Sequence, residues 1–147
     1  MEQQRLDFYR ASPDAIKALM GLEVAVGKLG IDPVLIELVK LRASQLNGCA
    51  YCVDMHAADA RKKGVPERKL TAVSVWRETP FFSGRERAAL AWTEALTLLA
   101  DSHAPDADYE ALRAVFSDKE VVDLTLAVGT INVWNRIGVG FRKLPTE

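Results

Sequence analysis

Apolar residues recur along this chain at spacings of three and four positions, the period of an amphipathic helix, and strand-like alternation is weak. The first helix is predicted to start at Ser12-Pro13-Asp14, which supplies an N-cap, a first-turn proline and a first-turn acid. It is predicted to close at Gly30. Its apolar positions are Ile16, Leu19, Met20 and Val24.

Further helices are predicted from the same start and stop signals. The second ends at Asn47-Gly48, the third ends at Gly64, the fourth extends towards Trp76, and the last reaches about Val139. Six or seven helices with short connections predict an all-α fold, in a single domain spanning residues 1–147. In chain order, the later helices start at Asp32-Pro33, near Cys49, at Pro66, at Ser83-Gly84, at Pro105-Asp106 and at Ser117-Asp118.

The last helix is apolar around most of its circumference. Such a helix must be covered on several sides, and a domain of this size has few helices to do so. We therefore expect an oligomer in which a partner subunit supplies the cover; a central helix in a monomer is the alternative. The apolar positions are Val121, Val122, Leu124, Leu126, Val128, Ile131, Val133, Trp134 and Ile137.

Composition and charge exclude several classes of protein. The chain has 147 residues, of which 49% are hydrophobic and 27% charged, and its formal net charge is −1. With so small a net charge, the protein lacks the strong positive electrostatic potential that attracts nucleic acid or an anionic membrane. No apolar run approaches the ~20 residues of a membrane span, and the residues from Met1 to Arg5 lack the pattern of a secretory signal. We expect a cytoplasmic protein without nucleic-acid or membrane partners.

Both cysteines of the chain lie in one segment, Cys49-Ala50-Tyr51-Cys52, and His56 follows it. In a reducing compartment, such a pair is more often catalytic or metal-binding than a structural disulfide. On a helix, Cys49, Cys52 and His56 share one face, because spacings of three and four residues align side chains. The first helical turn also offers unpaired N–H groups, which stabilise a nucleophilic thiolate.

The position of His56 distinguishes the two thiols. His56 lies one helical turn from Cys52 and two turns from Cys49, so it is better placed to exchange a proton with Cys52. We predict Cys52 as the attacking thiol and Cys49 as the resolving thiol. The alternatives are a pair of small buried side chains and a zinc site. The zinc interpretation lacks a fourth ligand, because His103 lies in a loop-like segment.

Glu37 is the next candidate for chemistry. Val34 and Leu41, its neighbours at helical spacing, place it on or beside an apolar face. A carboxylate there needs a partner, or its pKa rises through desolvation, and both outcomes suit a proton acceptor. The alternative is a rim residue that pairs with Lys40 or Arg42.

Glu37, Cys49, Cys52 and His56 together resemble the signature of the carboxymuconolactone decarboxylase-like superfamily, in its alkylhydroperoxidase D-like (AhpD-like) branch. That signature is a glutamate, a C-x-x-C pair twelve residues on, and a histidine four residues after the second cysteine, as in this chain. The similarity covers most of the chain and includes residues 41–49, 54–56, 87–94 and 132–136.

The resemblance implies an AhpD-like bundle of six to seven helices, assembled as a homo-oligomer, usually a trimer or hexamer. It also implies a thiol-dependent peroxidase in which Cys52 attacks a hydroperoxide and Cys49 resolves the sulfenic acid as a disulfide. Glu37 and His56 then form the proton relay that activates Cys52, with a water between. No metal, haem or flavin cofactor is implied, and a dithiol donor, a lipoyl group or a thioredoxin-like protein, reduces the disulfide.

The chain departs from the family pattern in two respects. The best-known peroxidases of the branch carry a second histidine just before the second cysteine, where this chain has Tyr51. The Tyr51 hydroxyl either has an accessory part in the relay or packs at a subunit contact. Those peroxidases also contain two tandem helical units, and this chain has room for one. The alternatives in function are a lactone decarboxylase of the same fold, which needs no dithiol, and a non-enzymatic zinc-binding or structural oligomer.

Overall fold

A computed structural model describes residues 3–146 of the chain. Within this range all regular structure is helical, so the expected all-α class is confirmed. A 3₁₀ segment, Val73–Glu78, follows the fifth helix. The α-helices are α1 (Phe8–Ala11), α2 (Pro13–Gly27), α3 (Pro33–Asn47), α4 (Ala50–Lys62), α5 (Glu67–Ala72), α6 (Gly84–Thr97), α7 (Leu99–Ser102), α8 (Asp106–Arg113) and α9 (Asp118–Gly140).

The helices differ from the sequence-based expectation in three places. Between residues 3 and 146, seven α-helices have six or more residues, as expected, and α1 and α7 are additional four-residue turns. The predicted fourth helix does not continue regularly to Trp76, because Val75 has non-helical backbone angles (φ −125°, ψ 29°) within the 3₁₀ segment. The first predicted helix ends at Gly27, before Gly30, which has a positive φ of 90°.

Side-chain caps fix three helix starts where the sequence predicts them, whereas Ser12, the predicted N-cap of the first helix, forms no side-chain cap hydrogen bond. The Asp32 side chain accepts the N–H groups of Val34 and Leu35 at the start of α3. Ser83 and Ser117 each form a reciprocal capping box, at the starts of α6 and α9. Gly48 has a left-handed φ of 66° and ends α3, so that the chain turns and α4 begins at Ala50.

Helix α3 lies at the centre of the domain and is buried over most of its length. One side of it packs with α6, α8 and α9 through a cluster that includes Leu35, Val39 and Trp92. Another side packs with α4, α5 and α6 through a cluster that includes Leu38 and Leu90. Because α3 contacts α4 and α9 directly, it brings its side chains next to the cysteine segment and next to the last helix.

A partly buried amide network joins the end of α3 to α9, immediately before the cysteine segment. Asn47 Nδ2 donates to the Oδ1 atoms of Asn132 and Asn135, at 2.9 Å each. Asn135 Nδ2 donates to Ser44 Oγ at 3.0 Å. Buried amides are stabilised only where such partners are present, so this network fixes how the C-terminal end of α3 sits on α9.

One face of α9 stays uncovered within a single chain. Ten of its residues are buried, but Val122 is 67% exposed, and Leu126 and Val133, on the same side of the helix, are each at least 40% exposed. The apolar circumference predicted for this helix is therefore real, and its cover by a partner subunit stays a prediction. None of the helices in residues 3–146 combines the length and apolarity that crossing a bilayer requires.

Candidate functional site

The two cysteines lie at the N-terminus of α4 and form a disulfide. Their Sγ atoms are 2.26 Å apart and their Cα atoms 5.3 Å apart. Cys49 is the N-cap residue of α4, and its Sγ accepts the N–H of Cys52 at 3.3 Å. Both residues are buried, with 1% and 3% of their surface exposed. The structure thus holds the oxidised form of the pair that the sequence singles out.

Gly138 of α9 forms the back wall of the disulfide. A Cβ atom at this position would lie 2.8 Å from Cys49 Sγ and 3.5 Å from Cys52 Sγ. A carbon atom cannot lie 2.8 Å from a sulfur unless one of the two shifts. Only glycine therefore fits at this position without moving the disulfide or the helix. The sequence carries no signal for this role of Gly138, because a glycine in an apolar helix gives no indication of what packs against it.

We expect Gly138→Ala to destabilise the oxidised protein by about 1–3 kcal/mol, the usual effect of overpacking a filled site. Urea denaturation of the disulfide form measures this change. Gly129→Ala is the matched control on the same helix, because a Cβ there meets nothing within 4 Å. The control should be neutral or stabilising by up to ~1 kcal/mol. Equal stabilities of the two variants would contradict the close packing at Gly138.

His56 and Glu37 form a buried pair between α4 and α3. His56 Nδ1 lies 2.9 Å from Glu37 Oε2, and each side chain is 6% exposed. Since a carboxylate only accepts, Nδ1 carries the hydrogen. Nε2 is then the acceptor nitrogen of the neutral ring, and it is buried without a hydrogen-bond partner among the described residues. The ring therefore has one nitrogen held by Glu37 and one available for a proton.

Glu37 is ionised despite its burial. Burial alone raises its pKa, but hydrogen bonds and charge from His56 and Lys63 outweigh that effect and lower the pKa from 4.5 to about 2. Lys63 Nζ donates to the second oxygen, Oε1, at 2.5 Å. Of the two outcomes that the sequence left open, Glu37 thus has partners, and at neutral pH it orients His56 and does not itself hold a proton.

This pairing predicts a specific acid sensitivity. A carboxyl whose pKa is about 2 in the folded state and about 4.5 when unfolded stabilises the fold above pH 4.5, and this stabilisation is lost as the pH falls towards 2. The difference corresponds to about 3 kcal/mol. The stability deficit of Glu37→Gln should therefore be largest above about pH 5 and shrink on acidification, as measured by urea denaturation from about pH 6 to about pH 3. A deficit that does not change with pH would contradict the assignment, and the exposed Glu110→Gln serves as control.

Cys52, His56 and Glu37 border one pocket of about 450 Å³. Cys49 is not among the described residues that border it. Cys52 is therefore the sulfur that a molecule in the pocket would meet, and Cys49 lies behind it against Gly138. Which sulfur attacks and which resolves stays a prediction.

The remaining walls of the pocket are largely apolar and come from elements far apart in the chain. Met20 and Val24, two of the apolar positions of the predicted first helix, are 53% and 56% exposed and face this pocket. The sequence carries no signal that separates pocket-facing from core-facing positions, since both are apolar at the same spacing. The other apolar wall residues include Phe8, Met55, Trp134 and Ile137.

Tyr51 is half-buried and also borders the pocket. Its ring lies 4.8 Å from Lys143 Nζ, which also faces the rings of Phe8 and Tyr9. Tyr51 thus packs within its own chain, against the C-terminal segment, and an accessory part in the relay stays a prediction.

The other candidate partners from the sequence are engaged elsewhere. Lys40 forms an ion pair with Glu23, and Arg42 Nε donates to Glu94 at 2.8 Å, so neither pairs with Glu37. His103 is exposed and caps α7, outside the pocket. In the disulfide form both sulfurs are bonded to each other, so neither is a thiolate ligand for zinc. Among the described residues, Glu37, His56 and Asp59 bring potential ligand atoms within 4.8 Å of one another, but His56 Nδ1 and Lys63 Nζ already engage both oxygens of Glu37.

The chain is similar in sequence to known proteins of one family. Residues 11–95 match the family model described as Carboxymuconolactone decarboxylase family. The uncharacterized protein YdfG of Bacillus subtilis (strain 168) is 39% identical over 136 residues, which cover 92% of each protein. Alkyl hydroperoxide reductase AhpD of Solibacter usitatus is 41% identical over 58 residues, 40% of this chain and 32% of that protein.

A crystal structure from Agrobacterium tumefaciens is similar over nearly the whole chain. The protein, ATU0492, is described as one of unknown function and as a candidate AhpD antioxidant defence protein. It superposes with a TM-score of 0.96 and 49% sequence identity, covering 99% of this chain and 100% of that one.

Proposed function

Because the chain belongs to the carboxymuconolactone decarboxylase family, we propose that it is a thiol-dependent peroxidase, which reduces organic hydroperoxides with Cys52 and Cys49. The observation that carries this proposal is the position of Cys52: bonded to Cys49, and bordering an apolar pocket together with a buried His56–Glu37 pair. Relatives named alkyl hydroperoxide reductase, which match the chain over about a third of its length, support the class of reaction.

In the first step the Cys52 thiol loses its proton to His56 Nε2, directly or through one water. Glu37 holds Nδ1 and stabilises the imidazolium that forms. The Cys52 thiolate attacks the terminal peroxide oxygen, the O–O bond breaks, and the alkoxide leaves as an alcohol with the proton from His56. Cys52 is now a sulfenic acid, and two electrons have passed from sulfur to the peroxide.

In the second step the Cys49 thiol condenses with the sulfenic acid. The S–S bond forms, and the sulfenic oxygen leaves as water with the thiol proton. Cys49 is well placed for this step because its Sγ accepts the Cys52 N–H at the helix N-terminus, which favours thiolate character. An external dithiol then returns two electrons and two protons. The cycle needs no metal, haem or flavin.

The partners in this proposal follow from the chemistry and from the surface. A lipoyl group or a thioredoxin-like protein supplies the dithiol, and the apolar pocket takes the organic part of the hydroperoxide. We also propose a homo-oligomer, trimer or hexamer, because the uncovered face of α9 carries exposed Val122, Leu126 and Val133. A cytoplasmic location is a separate part of the proposal.

Turnover of cumene hydroperoxide tests the proposal, with dithiothreitol as an artificial electron donor. The wild-type protein should consume the peroxide catalytically and form the alcohol in equal amount. A Cys49→Ser/Cys52→Ser double variant gives the background rate. Wild-type turnover no faster than this background would refute the peroxidase function.

A further inference from the structure

Lys63 is a charged side chain at the Glu37–His56 pair to which neither the sequence pattern nor the reaction above gives a role. It is the C-cap residue of α4, and its Nζ donates to Glu37 Oε1 at 2.5 Å. About a third of its side chain is exposed, at 37%, whereas Glu37 is 6% exposed. Lys63 thus joins a buried carboxylate to the surface of the protein.

Each oxygen of Glu37 accepts from a different donor, Oε2 from His56 and Oε1 from Lys63, and this arrangement affects the charge of His56. With Lys63 in place, the negative charge of Glu37 is balanced while His56 is neutral. Without Lys63, His56 is the donor that remains on Glu37, and the uncompensated carboxylate favours the imidazolium. An imidazolium cannot accept the proton of Cys52.

Resting on the proposed function, we propose that Lys63 is a positioning residue of the thiol relay. By holding Glu37 Oε1 and balancing its charge, it keeps the His56 ring as a proton acceptor whose hydrogen stays on Nδ1. Lys63 acts through Glu37 and does not touch the reacting sulfur.

Other charged and titratable groups near His56 do not replace Lys63. Asp59, on the same helix, brings a carboxylate oxygen within 4.8 Å of the polar atoms of Glu37 and His56. Its charge also favours the imidazolium, although exposed Lys62 lies 3.6 Å from it and offsets part of that charge. Glu23 of α2 and Lys40 of α3 neutralise each other as an ion pair. The further groups on this pocket are Tyr9 of α1, Tyr51 of α4 and Lys143 after α9, with Lys143 directed at the aromatic rings.

The test is an NMR titration of the histidines in the disulfide form, where the cysteines do not titrate. The chain has two histidines, so exposed His103 is an internal reference for His56. Lys63→Gln should raise the proton affinity of His56 at least about tenfold, seen as a titration midpoint about one or more pH units higher. His103 should not change, and Lys63→Arg, which keeps the charge and the donor, should restore the wild-type midpoint within about twofold in proton affinity.

Arg61→Gln is the matched control. It removes a cation from the last turn of the same helix, but Arg61 pairs with Glu67 on the surface. The inference is overturned if Lys63→Gln leaves the His56 midpoint unchanged, or if Arg61→Gln moves it as far. Asp59→Asn should move the midpoint in the opposite direction to Lys63→Gln. Because this readout needs no peroxide, it stays informative even if the wild-type protein fails to reduce hydroperoxides.

Discussion

Cys52→Ser should lower hydroperoxide reduction by at least ~10³-fold, to the level of the double cysteine variant, because the attacking sulfur is gone. Cys49→Ser should keep the first chemical step and lose the second. It should consume about one equivalent of peroxide per chain and stop as a sulfenic acid at Cys52. The physical reason is access: Cys52 borders the pocket beside His56, and Cys49 is packed against Gly138.

Mass spectrometry after peroxide treatment and dimedone trapping measures this asymmetry. The label should appear on Cys52 in the Cys49→Ser variant and be absent from the Cys52→Ser variant. Circular dichroism of both reduced variants controls for folding. A label on Cys49 in Cys52→Ser, with none in Cys49→Ser, would reverse the order of attack.

His56→Gln should reduce kcat/KM for the hydroperoxide by roughly 10²–10⁴-fold, the usual contribution of a positioned base. Glu37→Gln should reduce it by roughly 10²-fold, because the amide that replaces the carboxylate donates as well as accepts. When this amide donates to Nδ1, the ring hydrogen moves to Nε2, and the tautomer then has no acceptor for the thiol proton. Both variants keep a side chain of similar volume, so the walls of the pocket keep their packing.

Stopped-flow oxidation of the reduced proteins across pH measures these effects apart from the external reductant. Glu67→Gln is the matched control, since Glu67 forms an exposed pair with Arg61 away from the pocket. It should react at the wild-type rate. A Glu37→Gln rate within about threefold of wild type would remove Glu37 from the relay and leave His56 to act alone.

Most helix boundaries of this fold depend on residues close together in the sequence, and they could therefore be predicted from the sequence. The capping residues Asp32, Ser83 and Ser117 act on backbone groups two or three residues away, so their pattern identifies helix starts directly. The kink at Val75 was missed because its neighbours have ordinary helical spacing. The spacing of Cys49, Cys52 and His56 likewise depends only on one helix, and the structure places all three on α4 or at its N-cap.

The parts of the site that the sequence did not predict depend on contacts between helices. Glu37 was identified by its apolar neighbours, but its partners, His56 and Lys63, are known only once α3 packs on α4. Lys63 itself looks like any basic residue at a helix C-terminus. Gly138 meets the disulfide only through the packing of α9. In each case the missing information is the distance between two helices, which no spacing within one helix contains.

The central claim is that Cys49 and Cys52 pass two electrons to a hydroperoxide, and a single-turnover titration tests it most directly. Fully reduced protein is mixed with one equivalent of cumene hydroperoxide, and free thiols and cumyl alcohol are counted per chain. We predict that two thiols fall to none, that one alcohol forms, and that a Cys49–Cys52 disulfide reversible by dithiothreitol appears. Two thiols that stay unchanged with no alcohol formed, even when the peroxide is raised to a near-millimolar concentration, would contradict the account.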